Sequence, residues 1–238
     1  MTILFNSEKK CSICGEVSSH YEVGSTNRFG SPDLDTRPPE MERSNIGALI
    51  LTCPKCGYCA PDLSITTNNS LKVIKGEVYN RQYFSDEYPK LANNFLCYSI
   101  IQESAGKYVK AMWASIHAAW ICDDEGNNIG AIKCRERAVE LYQKAKKYGN
   151  RINIKTGFQE TLLADLLRRS GQFEKALHIC ELGLTRKSGQ FEKALHICEL
   201  GLTRKSESII SKILQFQKIL IVRSDVACYT VADAVGNE

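Results

Sequence analysis

The chain lacks the ~18 consecutive apolar residues that a membrane-crossing helix needs. Its start, MTILFNSEKK, has too short an apolar run, with its charges on the wrong side, to read as a secretory signal. Histidine is scarce, with four in 238 residues, two of them copies within a duplicated stretch. That leaves little for acid–base catalysis. There is no G-x-x-x-x-G-K-[ST] loop, no G-x-G-x-x-G, no H-E-x-x-H and no G-x-S-x-G, so nucleotide, zincin and hydrolase signatures are missing. Proline is rare and unevenly placed: five of six lie before residue 62, and none follows Pro89.

What is present divides the same way. Turn-formers crowd the first third, in GSTNRFGSPD, TRPPE, CPKCGYCAPD and TTNNS, and separate strand-like runs at 17–23 and 46–52. After about Asp86 long helical patterns take over. These features predict a mainly α chain with a small N-terminal β zinc ribbon and a TPR-like antiparallel helical array. The expected parts are a metal-binding region over 1–75 and a helical domain over 76–238. Net charge is +4, but residues 1–85 carry nine basic and nine acidic residues, so the cysteine-rich part is neutral. A nucleic-acid module usually concentrates positive charge, and this one does not.

Eleven cysteines without a secretion signal point to reduced thiols and a cytoplasmic address. The sharpest motif is CSICG at 11–15 with CPKCG at 53–57. Cys11, Cys14, Cys53 and Cys56 can give four thiolates to one tetrahedral zinc ion, each paired glycine permitting the tight turn of a knuckle. Catalytic zinc needs an open ligand position and a nearby base, so four thiolates predict a closed, structural Zn2+, one per chain. Cys59 ranks second and His20 is an outside candidate. Cys97, Cys122, Cys134 and Cys228 read as small buried hydrophobes.

The helical part predicts helices near 87–104, 107–122, 127–148, 157–170 and 208–222. In the second, Ala111, Ala114, Ala118 and Ala119 permit close helix approach. His117, Trp113 and Trp120 read there as packing residues. In the third, Ile132, Ala138, Leu141, Tyr142 and Ala145 mark the apolar side, with Glu136, Glu140 and Lys144 on another. Ala164, Gly171, Phe173, Ala176 and Gly183 match one tetratricopeptide (TPR) unit, without its tryptophan and terminal proline. Residues 188–205 repeat 170–187 identically. The period is 18, whereas a TPR unit spans about 34 residues. Identity even at surface positions points to an in-frame duplication rather than a selected array. A chain break is expected around Lys187–Gly189, where the turn signal SGQF recurs.

Between the knuckles lies FGSPDLDTRPPEMERS (29–44). Asp33, Asp35 and Arg37 mark a possible polar site, although a solvated loop with local ion pairs is the favoured reading. This loop, with CPKCGYCAPDLS, resembles an uncharacterised bacterial family known only as a domain of unknown function. Its members join such a cysteine-rich region to TPR-like helices. The resemblance implies metal binding through Cys11, Cys14, Cys53 and Cys56 and a characteristic loop around Asp33–Pro39, and it implies no activity. The duplication departs from the family pattern.

The leading expectation is therefore a protein-interaction module holding a protein or peptide partner, with no membrane association. The alternative is nucleic-acid binding, with Lys144, Lys146, Lys147, Arg151 and Lys155 on phosphate. An enzyme using Asp33, Asp35 or Cys59 is the least favoured.

Overall fold

In the computed structural model, which describes residues 1–150, 152, 157–194 and 202–236, with side chains at 186–194 and 202–208 outside that description, strands come first. They are β1 (Ile3–Lys10) and β2 (Val17–Ser25), then a 3₁₀ helix (Arg43–Leu49) and the short β3 (Leu51–Thr52) and β4 (Cys59–Ala60). Helices follow: α1 (Ser70–Ile74), α2 (Glu77–Tyr83), α3 (Lys90–Ser104), α4 (Tyr108–Asp124) and α5 (Asn128–Lys147). The last are α6 (Phe158–Arg169), α7 (Phe173–Ala194), α8 (Leu202–Val222) and α9 (Val231–Val235). The protein is mainly helical, with a small N-terminal antiparallel two-stranded sheet.

Three-residue links reverse the chain between α3 and α4, α4 and α5, and α6 and α7. Each has a glycine just past the helix end: Gly106, Gly126 and Gly171, at φ 70°, 69° and 75°. The Gly126 N–H donates to the Asp123 carbonyl at 3.1 Å and the next N–H, of Asn127, to the Cys122 carbonyl at 2.8 Å. This crossed pair satisfies carbonyls the helix leaves orphaned, and the left-handed φ it demands suits a residue without Cβ.

Contacts divide the chain into two compact units: Met1–Phe29 with Pro39–Ile152, and Gly30–Pro38 with Asn153–Glu238. In the first, one hydrophobic cluster joins Cys11, Cys53, Cys59 and Leu63 to Tyr79 of α2, Phe95 and Ile101 of α3, Ala118 of α4 and Cys134 of α5. The cysteine-rich stretch thus shares its core with α2–α5. Ala111, Ala114, Ala118 and Ala119 are all buried. Small side chains there bring α4 close to its neighbours α3 and α5. In the second unit α6 is buried from Glu160 to Arg169. Gly183 of α7 lies so close that an added Cβ would meet Leu214 Cδ1 of α8 at 2.8 Å and Glu160 Cβ of α6 at 3.1 Å.

Four local expectations are corrected. The run 46–52 is mostly 3₁₀ helix and only Leu51–Thr52 is strand. The Arg43 N–H takes the Pro39 carbonyl and Asn45 Nδ2 takes the Met41 carbonyl at 2.7 Å, so side-chain and turn bonds wind this backbone before a ladder can extend it. Ile132 is 38% exposed, because the face of α5 turned inward runs through Ala131, Cys134, Arg135 and Ala138. α7 continues through Lys187–Gly189 to Ala194 instead of breaking there. A glycine inside a helix costs about 1 kcal/mol and need not end it. Residues 195–201 of the copy lie outside the described residues. Finally, Cys228 is exposed as a residue.

Candidate metal centre

Both cysteine pairs sit in hairpin turns. The first, Cys11–Glu16, joins β1 to β2, paired from Leu4↔Val23 to Lys10↔Val17. The second, Cys53–Tyr58, joins β3 to β4, paired as Leu51↔Ala60 and Thr52↔Cys59. Their backbones match bond for bond. Gly15 donates to the Cys11 carbonyl and Gly57 to the Cys53 carbonyl, both at 2.9 Å. Cys11 donates to the Glu16 carbonyl at 2.7 Å and Cys53 to that of Tyr58 at 2.9 Å, closing each turn. Gly15 and Gly57 have φ of 75° and 69°, the conformation glycine adopts without strain.

The turns face each other through sulfur. All four Sγ atoms of Cys11, Cys14, Cys53 and Cys56 lie within 4.8 Å of one another. Cys11 and Cys56 are 3.7 Å apart and Cys14 and Cys53 3.5 Å. With metal–sulfur bonds of ~2.3 Å, the edge of a thiolate tetrahedron is about 3.8 Å. The donor set therefore fits one soft, four-coordinate dication. Lys55 and Glu16, one from each turn, pair at 3.4 Å across the assembly.

The thiols also differ electrostatically. A backbone N–H from Glu16 pulls the Cys14 thiol below its ordinary range, while burial pushes Cys53 and Cys56 above it. Four thiolates in so small a volume need a cation to be ionised together. Among the described residues, Cys59 and His20 lie outside this group. Cys59 is fully buried, its sulfur near Thr52 Oγ1 and the Gly57 carbonyl. His20 Nε2 pairs with Ser18 Oγ at 2.8 Å, and its ring lines an open groove of about 510 Å³ beside Asn45 and Asn94.

The comparison with known families returns one description, an uncharacterized protein conserved in bacteria (DUF2225), matched over residues 4–207. The chain belongs to this family. No curated protein and no solved structure matches it. The DUF2225 match spans both cysteine turns, the loop between them and α1–α7, so it supports the expected kinship without adding an activity.

That loop overturns the solvated reading. Asp33 is 3% exposed, Asp35 0% and Arg37 4%. Arg169 Nη1, at the end of α6, donates to Asp35 Oδ2 at 3.0 Å, and the Arg37 N–H donates to Asp35 Oδ1 at 3.2 Å. The Cys228 thiol donates to Asp33 Oδ2 at 3.2 Å, and burial raises it to about 12. Such a thiol is a poor nucleophile. Sequence reasoning missed Arg168, Arg169 and Tyr229. The one available signal was two consecutive arginines in a helix otherwise apolar at that end.

Of the basic residues proposed for phosphate, Lys144, Lys146 and Lys147 lie in the last turn of α5. Lys144 is held by Glu103 at 2.6 Å. Lys146 and Lys147 lie over the rings of Tyr142 and Tyr148, at 5.7 and 5.6 Å. Arg151 and Lys155 lie outside the described residues. No described helix is long and apolar enough to cross a membrane.

Proposed function

We propose that the protein is a zinc-binding, TPR-like interaction module of the cytoplasm. Zinc is structural, one ion per chain, on Cys11, Cys14, Cys53 and Cys56. The observation that carries the metal assignment is the matched pair of knuckle turns converging four sulfurs at tetrahedral spacing. Zinc suits it better than calcium or magnesium, which prefer oxygen ligands. Four protein thiolates leave no position for water or substrate, which favours a structural role over a catalytic one. Reduced thiolates suit a cytoplasmic address.

The interaction reading rests on the helices. Successive pairs joined by three-residue glycine links, with Ala164, Ala176 and Gly183 at the crossings, have the layout of TPR units. Such arrays present surfaces to peptide segments of partners. The test is the purified full chain. Elemental analysis should return about one zinc per chain, and affinity capture with zinc retained should enrich a specific protein whose binding falls on chelation. A protein purified without metal, or a chain that retains no partner in either state, would overturn the proposal.

A further inference from the structure

Residues 30–38 meet their own unit as a bound peptide would. They come from far upstream of α6–α9 and contribute one short segment that turns back on itself, the Asp33 N–H donating to the Arg37 carbonyl and the Thr36 N–H to the Asp33 carbonyl, both at 2.9 Å. The Leu34 N–H donates to the Tyr229 carbonyl at 2.9 Å and the Val231 N–H to the Pro32 carbonyl at 2.8 Å. Asp33 bridges antiparallel to Thr230, and the Ala232 N–H donates to Ser31 Oγ at 3.0 Å. Alongside this backbone pairing, Leu34 is 4% exposed and Asp35 is paired to Arg169. Main-chain pairing that fixes a segment while its side chains fill buried positions is a recurring mode of peptide recognition.

The receiving surface is shaped by contacts that exclude the segment. Arg168 Nη1 donates to the Asp225 carbonyl at 2.6 Å, and Nη2 donates to the Ala227 carbonyl at 2.9 Å and to Asp165 Oδ1 at 2.7 Å. Tyr229 Oη donates to Asp225 Oδ2 at 2.7 Å, and its ring meets Phe216 edge-on at 5.4 Å. Arg168 thus fixes the tail 225–231, while its neighbour Arg169 is turned to the incoming carboxylate. A buried ion pair adds little to stability compared with apolar packing, and its best-attested use is selection of one register or partner.

We propose that residues 30–38 are a tethered peptide ligand, and that the partner presents a peptide with the same Leu-Asp anchor pair in the same tight turn, displacing the tethered segment from the Arg169 site. The proposal rests on the interaction-module reading above. Tethering gives the segment a high effective concentration. An added peptide therefore binds the intact chain weakly and a chain with a weakened segment well.

The test uses a fluorescent peptide of residues 29–40, FGSPDLDTRPPE, titrated into the full chain by anisotropy. The Asp35→Asn chain should bind it at least tenfold more tightly than the intact chain does. Asp35→Asn in the peptide, or Arg169→Gln in the chain, should remove at least tenfold of that affinity. No binding to a folded Asp35→Asn chain, or equal binding of both peptides, overturns the proposal. A second measurement needs no variant. In hydrogen exchange on the intact chain, the Leu34 and Val231 amides should exchange at least tenfold faster than those of α6. Exchange of all of them together, in one global opening, makes the segment a permanent part of the core and overturns the proposal. A chain that binds the peptide but captures no cellular partner upholds this proposal and refutes only the module reading. A chain that captures a partner and ignores the peptide does the reverse.

Discussion

Arg169 closes a buried ion pair with Asp35, a residue 134 positions earlier in the chain, at 3.0 Å. The aspartate belongs to a loop that lies in sequence between the two halves of the metal centre. It is nonetheless part of the compact unit built by α6–α9. The covalent path from Cys14 to Cys53 therefore passes through a second structural unit. A chain reading of domains as consecutive blocks misses this arrangement.

Removing one partner of this pair leaves the other charge buried without its counter-ion. Arg169→Gln should lower the stability of the unit by up to about 3–5 kcal/mol, release of the loop setting the ceiling. The Asp35→Asn, Arg169→Gln double variant should recover part of the loss. Denaturant unfolding of the four proteins of this cycle checks it. Additive losses would mean that the two side chains are not coupled.

Cys53→Ser should abolish stoichiometric metal, because three thiolates and a hydroxyl make a poorer soft-metal site. Cys59→Ser should keep about one metal per chain, since its sulfur lies outside the tetrahedral group. Elemental analysis of the two purified variants separates them. Loss of metal from the Cys59 variant would shift the ligand assignment to that residue.

Much of this was legible in sequence where one local signal sufficed. The helices α3–α6 follow from apolar periodicity and stop at their glycines, and the two knuckles follow from cysteine spacing. The strand β1 was not legible, because ILFNSEKK gains its pairing only from Val17–Ser25 across the first knuckle. The burial of Asp33, Asp35 and Arg37 was not legible either. Local composition resembles a solvated turn, and the arginine that compensates Asp35 lies on a distant helix. Ion pairs formed at long range leave no period in the sequence.

His117 supplies a pH dependence of defined sign. It packs against Phe95 and Trp120, with ring centroids at 5.3 and 4.9 Å, and burial pushes its imidazole down to about 4. The unfolded chain titrates at the ordinary value of about 6.5 and binds the proton first as pH falls. The contribution is fully present above pH 6.5 and drains away between there and about 4, amounting to about 3 kcal/mol. His117→Phe should flatten this part of the stability profile. An unchanged slope in the variant would assign the acid sensitivity elsewhere, for instance to protonation of the metal thiolates.

Ser224 occupies the left-handed position after α8, at φ 52°, where the other helix ends of this type use glycine. Its N–H donates to the Ile221 carbonyl and the Asp225 N–H to that of Leu220, both at 2.9 Å, so the conformation is held by the same crossed bonds. Ser224→Gly should relieve about 0.5–1 kcal/mol of backbone strain. A raised melting temperature checks it, and a lowered one would mean that the glycine's greater unfolded-state entropy prevails.

The duplication yields the last prediction. The first copy already buries Ala176, Cys180 and Gly183, the last in close approach to Leu214 of α8 and Glu160 of α6. These contacts do not draw on residues 188–205. Excising 188–205 joins Lys187 to Ser206 and removes none of the residues that make these contacts. The shortened chain should keep its metal stoichiometry and unfold within about 1 kcal/mol of the full chain. A loss well beyond that, measured by denaturant titration with zinc present, would mean that the second copy has become part of the packing rather than an addition to it.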